Sequence, residues 1–461
     1  MRNKHMHYIS TRGETPAMPF QDAVLTGLAP DGGLLLPETI PDVRGELDSW
    51  RGLGFVELAE RVMGKFIGDM SAVELRALLE RSYARFDDPA IVPIRDLGSL
   101  KIMELFHGPT LAFKDVALQF LGTLFEQILT ERGLRMNILG ATSGDTGSAA
   151  IAGVQGRDGI EIFVMYPEGR TSALQELQMT AVPDANVHCL AIDGSFDDCQ
   201  AIMKSLFNDL PFKAKHGLGA VNSVNWARVL AQVVYYVQAG LALERNGVGP
   251  AICVPTGNFG NIFAGYVALK MGAPIDRLIL ATNDNDILVR FFNTGRYQRG
   301  AVHFTLSPSM DIQVASNFER FLFLHLNRDS DALRAFMESF ASGEEARLSG
   351  GAPLDDRIVA TSVDRDTTLR TIAETYRDTG YIVDPHTAVG VAAARRFESD
   401  GPVLCLATAH PAKFPESVDQ TIGKPVARHP ALEALKGATS RKTSLPAEVG
   451  AVREFVERHA L

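Results

Sequence analysis

The chain has 461 residues, of which 46% are apolar and 22% charged, and a formal net charge of −10. This is ordinary globular composition, with enough length for about two to three domains and a deep site. The acidic balance argues against a nucleic-acid binder, which needs a basic stripe, but a few cations or backbone N–H groups could still hold a small anion.

The start, MRNKHMHYISTRGETPA, lacks the apolar core of a secretory signal, and His5 and His7 read as part of a polar terminus. Residues 1–93 are expected to form a mainly helical N-terminal domain without a run of strands. LDSWRGLGFVELAERVMGKFI and SAVELRALLERSYARF place apolar residues at three- and four-residue spacings, and DGGLLLPETIP ahead of them reads as a loop. From about residue 94 to 425 strands alternate with helices. MNILGAT (136–142), IEIFVMYP (160–167), VHCLAI (187–192), AICVP (251–255), RLILAT (277–282) and PVLCLAT (402–408) are the predicted strands. That order implies an α/β fold with a mainly parallel sheet, whose ligands bind at the carboxyl ends of strands. VLAQVVYYVQAGLAL (229–243) is too short to span a bilayer and reads as a buried helix. Residues 341–358 are polar and glycine-rich, a predicted loop, and 426–461 form a tail ending in a short helix. Cys189, Cys199, Cys253 and Cys405 show no metal-type clustering and read as buried reduced thiols, so no metal site is expected and a cytoplasmic location is.

Three segments carry residues suited to anions, two of them at strand ends. TGNFGN (256–261) follows a strand and opens a helix, and its GxxG spacing is neither a Walker loop nor a dinucleotide fingerprint. Its alternatives are a phosphate cradle or a plain tight turn. ATSGDTGSAA (141–150) offers Ser143, Thr146, Ser148 and backbone amides, or else is a capped helix start. NSVNWARVLAQ (222–232) places Asn222, Ser223 and Arg228 around a helix start, where Arg228 is either an anion fork or a surface arginine.

FHGPTLAFKDVALQF (106–120) puts one lysine inside an apolar run. At about 100° per residue from position 111, Leu111, Leu118, Leu121, Phe125 and Ile128 fall within about 60° of Lys114, and Asp115, Gln119 and Glu126 lie on a flank about 100–140° away. Lys114 is therefore predicted to face the core, where desolvation favours a neutral, nucleophilic amine, and Asp115 to be an ion-pair partner on the polar flank. A desolvated lysine, a phosphate cradle and a second anion loop together suit pyridoxal phosphate, which needs a lysine for its aldehyde carbon, an N–H nest for its phosphate and a hydroxyl or acid for its ring nitrogen. A non-catalytic scaffold would leave the lysine unexplained.

ELFHGPTLAFKD, ATSGDTGSAA, NSVNWAR, PTGNFGN and ATAHPAKF, in this order, resemble the longer threonine synthases of bacteria and fungi, and the likeness covers about residues 8–425. The resemblance implies the type II pyridoxal-phosphate fold, similar to the tryptophan synthase β subunit, with two α/β lobes of which the smaller is roughly 115–215. It implies conversion of O-phospho-L-homoserine and water to L-threonine and phosphate, the last step of threonine biosynthesis. A phospho-lyase releasing a keto acid is the alternative outcome on the same cofactor. By the resemblance Lys114 is the Schiff-base lysine and catalytic base. Gly257, Asn258, Phe259, Gly260 and Asn261 are the cofactor-phosphate loop, and Thr408 faces the pyridine nitrogen. Ser143, Thr146, Asn222, Ser223 and Arg228 are substrate-binding. The shorter synthases carry Asn where this chain has Asp145, so an O3′-bonding role for Asp145 conflicts with its lack of a donor. His107 and His410 flank the expected site as backbone-bonded loop histidines, and Lys413 is a candidate contact to the substrate phosphate. The expected partners are a small-molecule substrate, no nucleic acid and no membrane, for a monomer or weak homo-oligomer.

Overall fold

The predicted strands divide between two sheets. A computed structural model describes residues 6–142, 144–348, 354–397 and 399–461, so Ser143 and part of the predicted 341–358 loop lie outside the described residues. In the larger sheet the strands Ile358–Ser362, Arg277–Thr282, Ala251–Pro255, Val403–Ala407 and Lys101–Glu104 run parallel in that order, with Ile94–Asp96 antiparallel at the edge. The smaller sheet is parallel throughout, in the order Thr443–Pro446, Val187–Asp193, Ile160–Pro167, Met136–Ala141, Leu218–Gly219. The inner strands are continuous apolar runs because helices cover both faces. Ala251, Ile252, Cys253 and Val254 are all fully buried.

The segment expected as a helical N-terminal domain carries the helices Phe55–Met63 and Ala72–Tyr83. The second starts with a Ser71–Glu74 capping box, in which each side chain satisfies the other's backbone N–H. This segment also holds a two-stranded antiparallel ribbon, Tyr8–Ser10 with Leu35–Pro37. Tyr8 and Phe66 pack on Trp226, with ring centroids 6.1 and 6.0 Å away, so this segment shares a core with the rest of the chain. The apolar run at 229–243 lies in the helix Trp226–Leu243, where Val229–Val237 are buried. No helix among the described residues is long and apolar enough to cross a membrane.

The lysine-bearing helix differs from expectation in two ways. It spans Lys114–Arg132, so Leu111 is outside it and Lys114 is its first residue. Leu111 has φ 61°, a left-handed conformation that stops any helix from starting there. There is also no exposed polar flank near Lys114, since Asp115 and Gln119 are 0% and 1% exposed. The helix passes between the N-terminal helices and the helix Asp145–Val154, and is covered on every side in its first half. The segment after 426 adds the edge strand Thr443–Pro446 to the smaller sheet, and Val452 and Val456 of the helix Val449–His459 are buried against it.

Candidate active site

Lys114 is delivered by a loop laced to the end of the neighbouring strand. Leu105 N donates to Ala407 O, His410 N to Leu111 O, and Phe113 N to Thr408 O at 2.8 Å. These main-chain bonds set Lys114 beside Thr408 at the carboxyl edge of the larger sheet, where the fold class places ligands. Gly108 is required in this loop because a Cβ there would sit 2.3 Å from Asp115 Cβ. Asp115 closes the loop from the other side, accepting from Thr110 N (2.8 Å) and Thr110 Oγ1 (2.7 Å). The expected ion pair is replaced by this cap, because the residue faces the loop instead of solvent. Burial pushes its carboxyl up to about 6.

The Lys114 ammonium lies 4.0 Å from Asp145 Oδ2 and is 9% exposed as a residue. Burial holds its pKa below the usual lysine value; Asp145 opposes that, and the charges of Lys413 and Arg228 add to it. Asp145 is buried too, which alone would raise its pKa, but Lys413, Lys114 and His386 outweigh burial and keep it ionised. Its Oδ1 accepts from Gln175 Nε2 and from Lys413 Nζ, both at 3.1 Å. Lys413 also donates to Thr110 O and Gln178 Oε1, both at 2.8 Å. All three of its donors are thereby used, so none is left for a substrate phosphate. An ionised Asp145 is an acceptor only, and its free oxygen faces the Lys114 amine.

The loop 256–261 follows the strand Ala251–Pro255 and opens the helix Gly260–Lys270. Phe259 holds the turn with φ 65°, its ring packed on Phe292, Phe318 and Phe321 at centroid distances of 5.9, 5.5 and 5.7 Å. That anchor offsets a strained backbone which leaves the first N–H groups of the helix without helical partners. A Cβ at Gly257 would lie 2.5 Å from Ser309 O. Asn261 Oδ1 accepts from Tyr235 OH (2.5 Å) and Tyr236 OH (2.9 Å), while its Nδ2 is buried without a partner among the described residues.

Asn225 caps the helix Trp226–Leu243 through Ala227 N, which aims the first turn and Arg228 inward. Arg228 is 7% exposed, and its Nε and Nη1 find no partner among the described residues. Burial lowers its pKa to about 10. Asn222 Oδ1 is buried and unpaired in the same way, and Ser223 Oγ lies 2.9 Å from Ser316 Oγ. Thr146 is half-buried in the first turn of the helix Asp145–Val154. Ser143, on the same loop, lies outside the described residues.

Buried donors without acceptors are rare in folded proteins, and a guanidinium in that state is costly. The unpaired groups of Arg228 and Asn261, with the desolvated Lys114 amine, are what a phosphorylated aldehyde and a phosphorylated substrate would satisfy together. The residues present therefore fit pyridoxal phosphate.

Sequence reasoning missed Gln175, His386, Asn317 and Arg320. His386 Nδ1 lies 2.7 Å from Asp384 Oδ2, and Ser309 N donates to its Nε2 at 3.3 Å. DPH carries a local sign, an Asp cap with Pro at the first helical position, whereas NFER at 317–320 carries none. His107 bonds the carboxylates of Asp87 (2.7 Å) and Glu104 (2.9 Å) instead of backbone, and His410 accepts from Ala412 N. Both histidines line a neighbouring cavity with Tyr381 and His429.

Residues 7–83 match the family described as threonine synthase N terminus, 100–409 the pyridoxal-phosphate dependent enzyme family, and 387–456 the threonine synthase C-terminal family. A threonine synthase of Pseudomonas aeruginosa is 48% identical over 98% of each chain. The pyridoxal-phosphate-bound threonine synthase of Brucella melitensis superposes with a TM-score of 0.95 at 45% identity, covering 99% of both chains. The yeast threonine synthase gives a TM-score of 0.94 at 38% identity, again over 99% of both. These matches run over nearly the whole chain and agree with its fold, and the chain belongs to the threonine synthase family of pyridoxal-phosphate-dependent enzymes.

Proposed function

We propose that this chain converts O-phospho-L-homoserine and water to L-threonine and phosphate, using pyridoxal phosphate held at Lys114. The observation that carries the reading is the pairing of a buried, desolvated lysine with a buried guanidinium whose Nε and Nη1 have no partner among the described residues. Bound pyridoxal phosphate supplies an electron sink for negative charge that develops on the substrate carbons. Gly257–Asn261 would hold its phosphate with backbone N–H groups and Asn261 Nδ2, and Thr408 would offer its ring nitrogen a neutral hydroxyl. Arg228, with Asn222 and Ser223, holds the substrate phosphate, and the 143–146 loop holds the carboxylate end.

Lys114, as a free amine, would take the proton from Cα and, once relieved of it, would take one from Cβ and deliver that proton to Cγ as phosphate leaves; Cα would regain a proton as water adds at Cβ. A lowered pKa leaves more of this amine unprotonated near neutral pH, which suits a base. Asp145 orients the ammonium form through Oδ2, and Lys413 keeps Asp145 ionised. Arg228 retains the departed phosphate while water adds at Cβ. The whole site comes from one chain, which fits a monomer or a weak homo-oligomer, and four buried free cysteines fit a reducing, cytoplasmic setting.

Product analysis with O-phospho-L-homoserine tests the proposal. Threonine and phosphate in equal amounts are expected, with both lost in Lys114→Ala. Release of 2-oxobutyrate without threonine would overturn it in favour of a phospho-lyase.

A further inference from the structure

The two anion loops are tied together by a buried bridge outside both motifs. Asn317 Nδ2 donates to Ser223 O at 3.0 Å, and the Asn317 main-chain N–H donates to Asn258 O at 3.0 Å. Nδ2 also lies 3.4 Å from Asn258 O. The orientation of this amide is set by Arg320, whose Nη1 donates to Asn317 Oδ1 at 2.5 Å. A guanidinium only donates, so the amide oxygen faces Arg320 and the amide nitrogen faces both loops. Arg320 is 0% exposed, and its other donors go to Leu35 O and Val224 O. Every one of these hydrogen-bond partners is a neutral oxygen. The adjacent acid, Glu319, is turned away to Thr11 and Arg12. Next in the chain before Asn317, Ser316 reaches the Ser223 hydroxyl at 2.9 Å.

A fully buried cation bonded only to carbonyls is expensive unless charge of the other sign arrives nearby. Of the carbonyls that it and Asn317 engage, those of Ser223 and Val224 belong to the loop before Arg228, that of Asn258 belongs to the glycine loop, and that of Leu35 belongs to the N-terminal ribbon, which anchors Arg320 from behind. We infer that Asn317 and Arg320 are positioning residues that set the spacing between the cofactor-phosphate loop and the substrate-phosphate loop, so that order in one is order in the other. The inference rests on the assignment of those two loops in the reading above. Neither side chain needs to touch an anion. Arg320 fixes the amide, the amide fixes Ser223 and Asn258, and each loop then presents its donors to its own phosphate.

The test uses Asn317→Asp in the full chain. This variant is isosteric and still pairs with Arg320, but it replaces the donor with an oxygen facing two carbonyls. Pyridoxal phosphate is titrated into the cofactor-stripped chain in phosphate-free buffer, and inorganic phosphate is titrated into the holoenzyme. Both affinities are expected to fall about tenfold, in line with the loss of one buried hydrogen bond per loop, while the melting temperature of the stripped chain stays close to wild type. Ser316→Ala should weaken inorganic phosphate alone. Loss of only one affinity in Asn317→Asp, or of neither, would overturn the inference. So would wild-type affinities for both in Asn317→Ala, which also lacks the donor. Arg228→Ala is the control for the loop assignment. If it leaves inorganic phosphate binding unchanged, the reading of the substrate loop fails, whatever Asn317 does.

Discussion

Lys114 is only 9% exposed, and its ion-pair partner among the described residues, Asp145 Oδ2, is 4.0 Å away. Its oddness was legible in the sequence, as one charge in an apolar run. What surrounds it was not, because Asp145, Gln175 and Lys413 come from distant segments and meet only in the folded chain. The reading of Asp115 as a flank residue failed for a related reason. Helical angle places Asp115 on a flank, but the loop before the helix and neighbouring helices cover that flank, so Asp115 is buried and accepts from Thr110. Asp115 yields a prediction of its own. Its folded pKa of about 6 lies above the ordinary 3.8, so the native state holds a proton that the unfolded chain releases. Stability from that proton is whole below about pH 4 and is lost as pH rises through about 6. Asp115→Asn should remove this loss, gaining up to about 3 kcal/mol on the wild type between those pH values. Urea unfolding at a series of pH values checks it, and parallel pH profiles for the two proteins would refute it. Arg228→Ala should raise KM for the phosphorylated substrate about 10- to 100-fold, as expected when a charge-assisted hydrogen bond is removed. Steady-state kinetics with the substrate varied reads this directly.

At the scale of elements, the helices Lys114–Arg132 and Asp145–Val154 each begin at a site residue, so their separation sets the distance between the two. They approach closely because glycines face each other. A Cβ at Gly122 would lie 1.9 Å from Gly153 O, and one at Gly153 would lie 2.6 Å from Leu118 O. Gly122→Ala should therefore force the helices apart, cost about 1–3 kcal/mol, and weaken cofactor retention by moving Asp145 away from Lys114. Thermal melting and the cofactor off-rate together check this, and an unchanged off-rate in a destabilised variant would separate packing from the site. Long strands and helices were legible because their apolar runs are continuous and end in Gly, Ser or Thr. Ile160–Pro167 and Arg277–Thr282 have the bounds read from sequence. Lys101–Glu104 was missed because KIME is short and begins and ends in a charge, although it feeds the Lys114 loop.

For the whole molecule, the alternation of strands and helices gave the fold class, and the five motifs gave the family. Periodicity alone could not say which strands share a sheet. The C-terminal segment shows why. Thr443–Pro446 is too short and exposed to read as a strand, yet it pairs with Val187–Asp193 and brings Val452 and Val456 into the core of the smaller lobe. A chain ending at residue 442 should expose that strand edge and lose about 1.5–3 kcal/mol for each buried valine. The expected result is a lower melting temperature and aggregation, read by calorimetry and light scattering. An equally stable, monodisperse truncation would show that the segment is dispensable.

Lys114, and not the more deeply buried Lys413 beside Asp145, is the residue proposed to accept the cofactor aldehyde. Borohydride reduction of the holoenzyme, followed by peptide mapping, tests it most directly. A phosphopyridoxyl group is expected on Lys114 alone; the same group on Lys413, with Lys114 unmodified, would overturn that assignment.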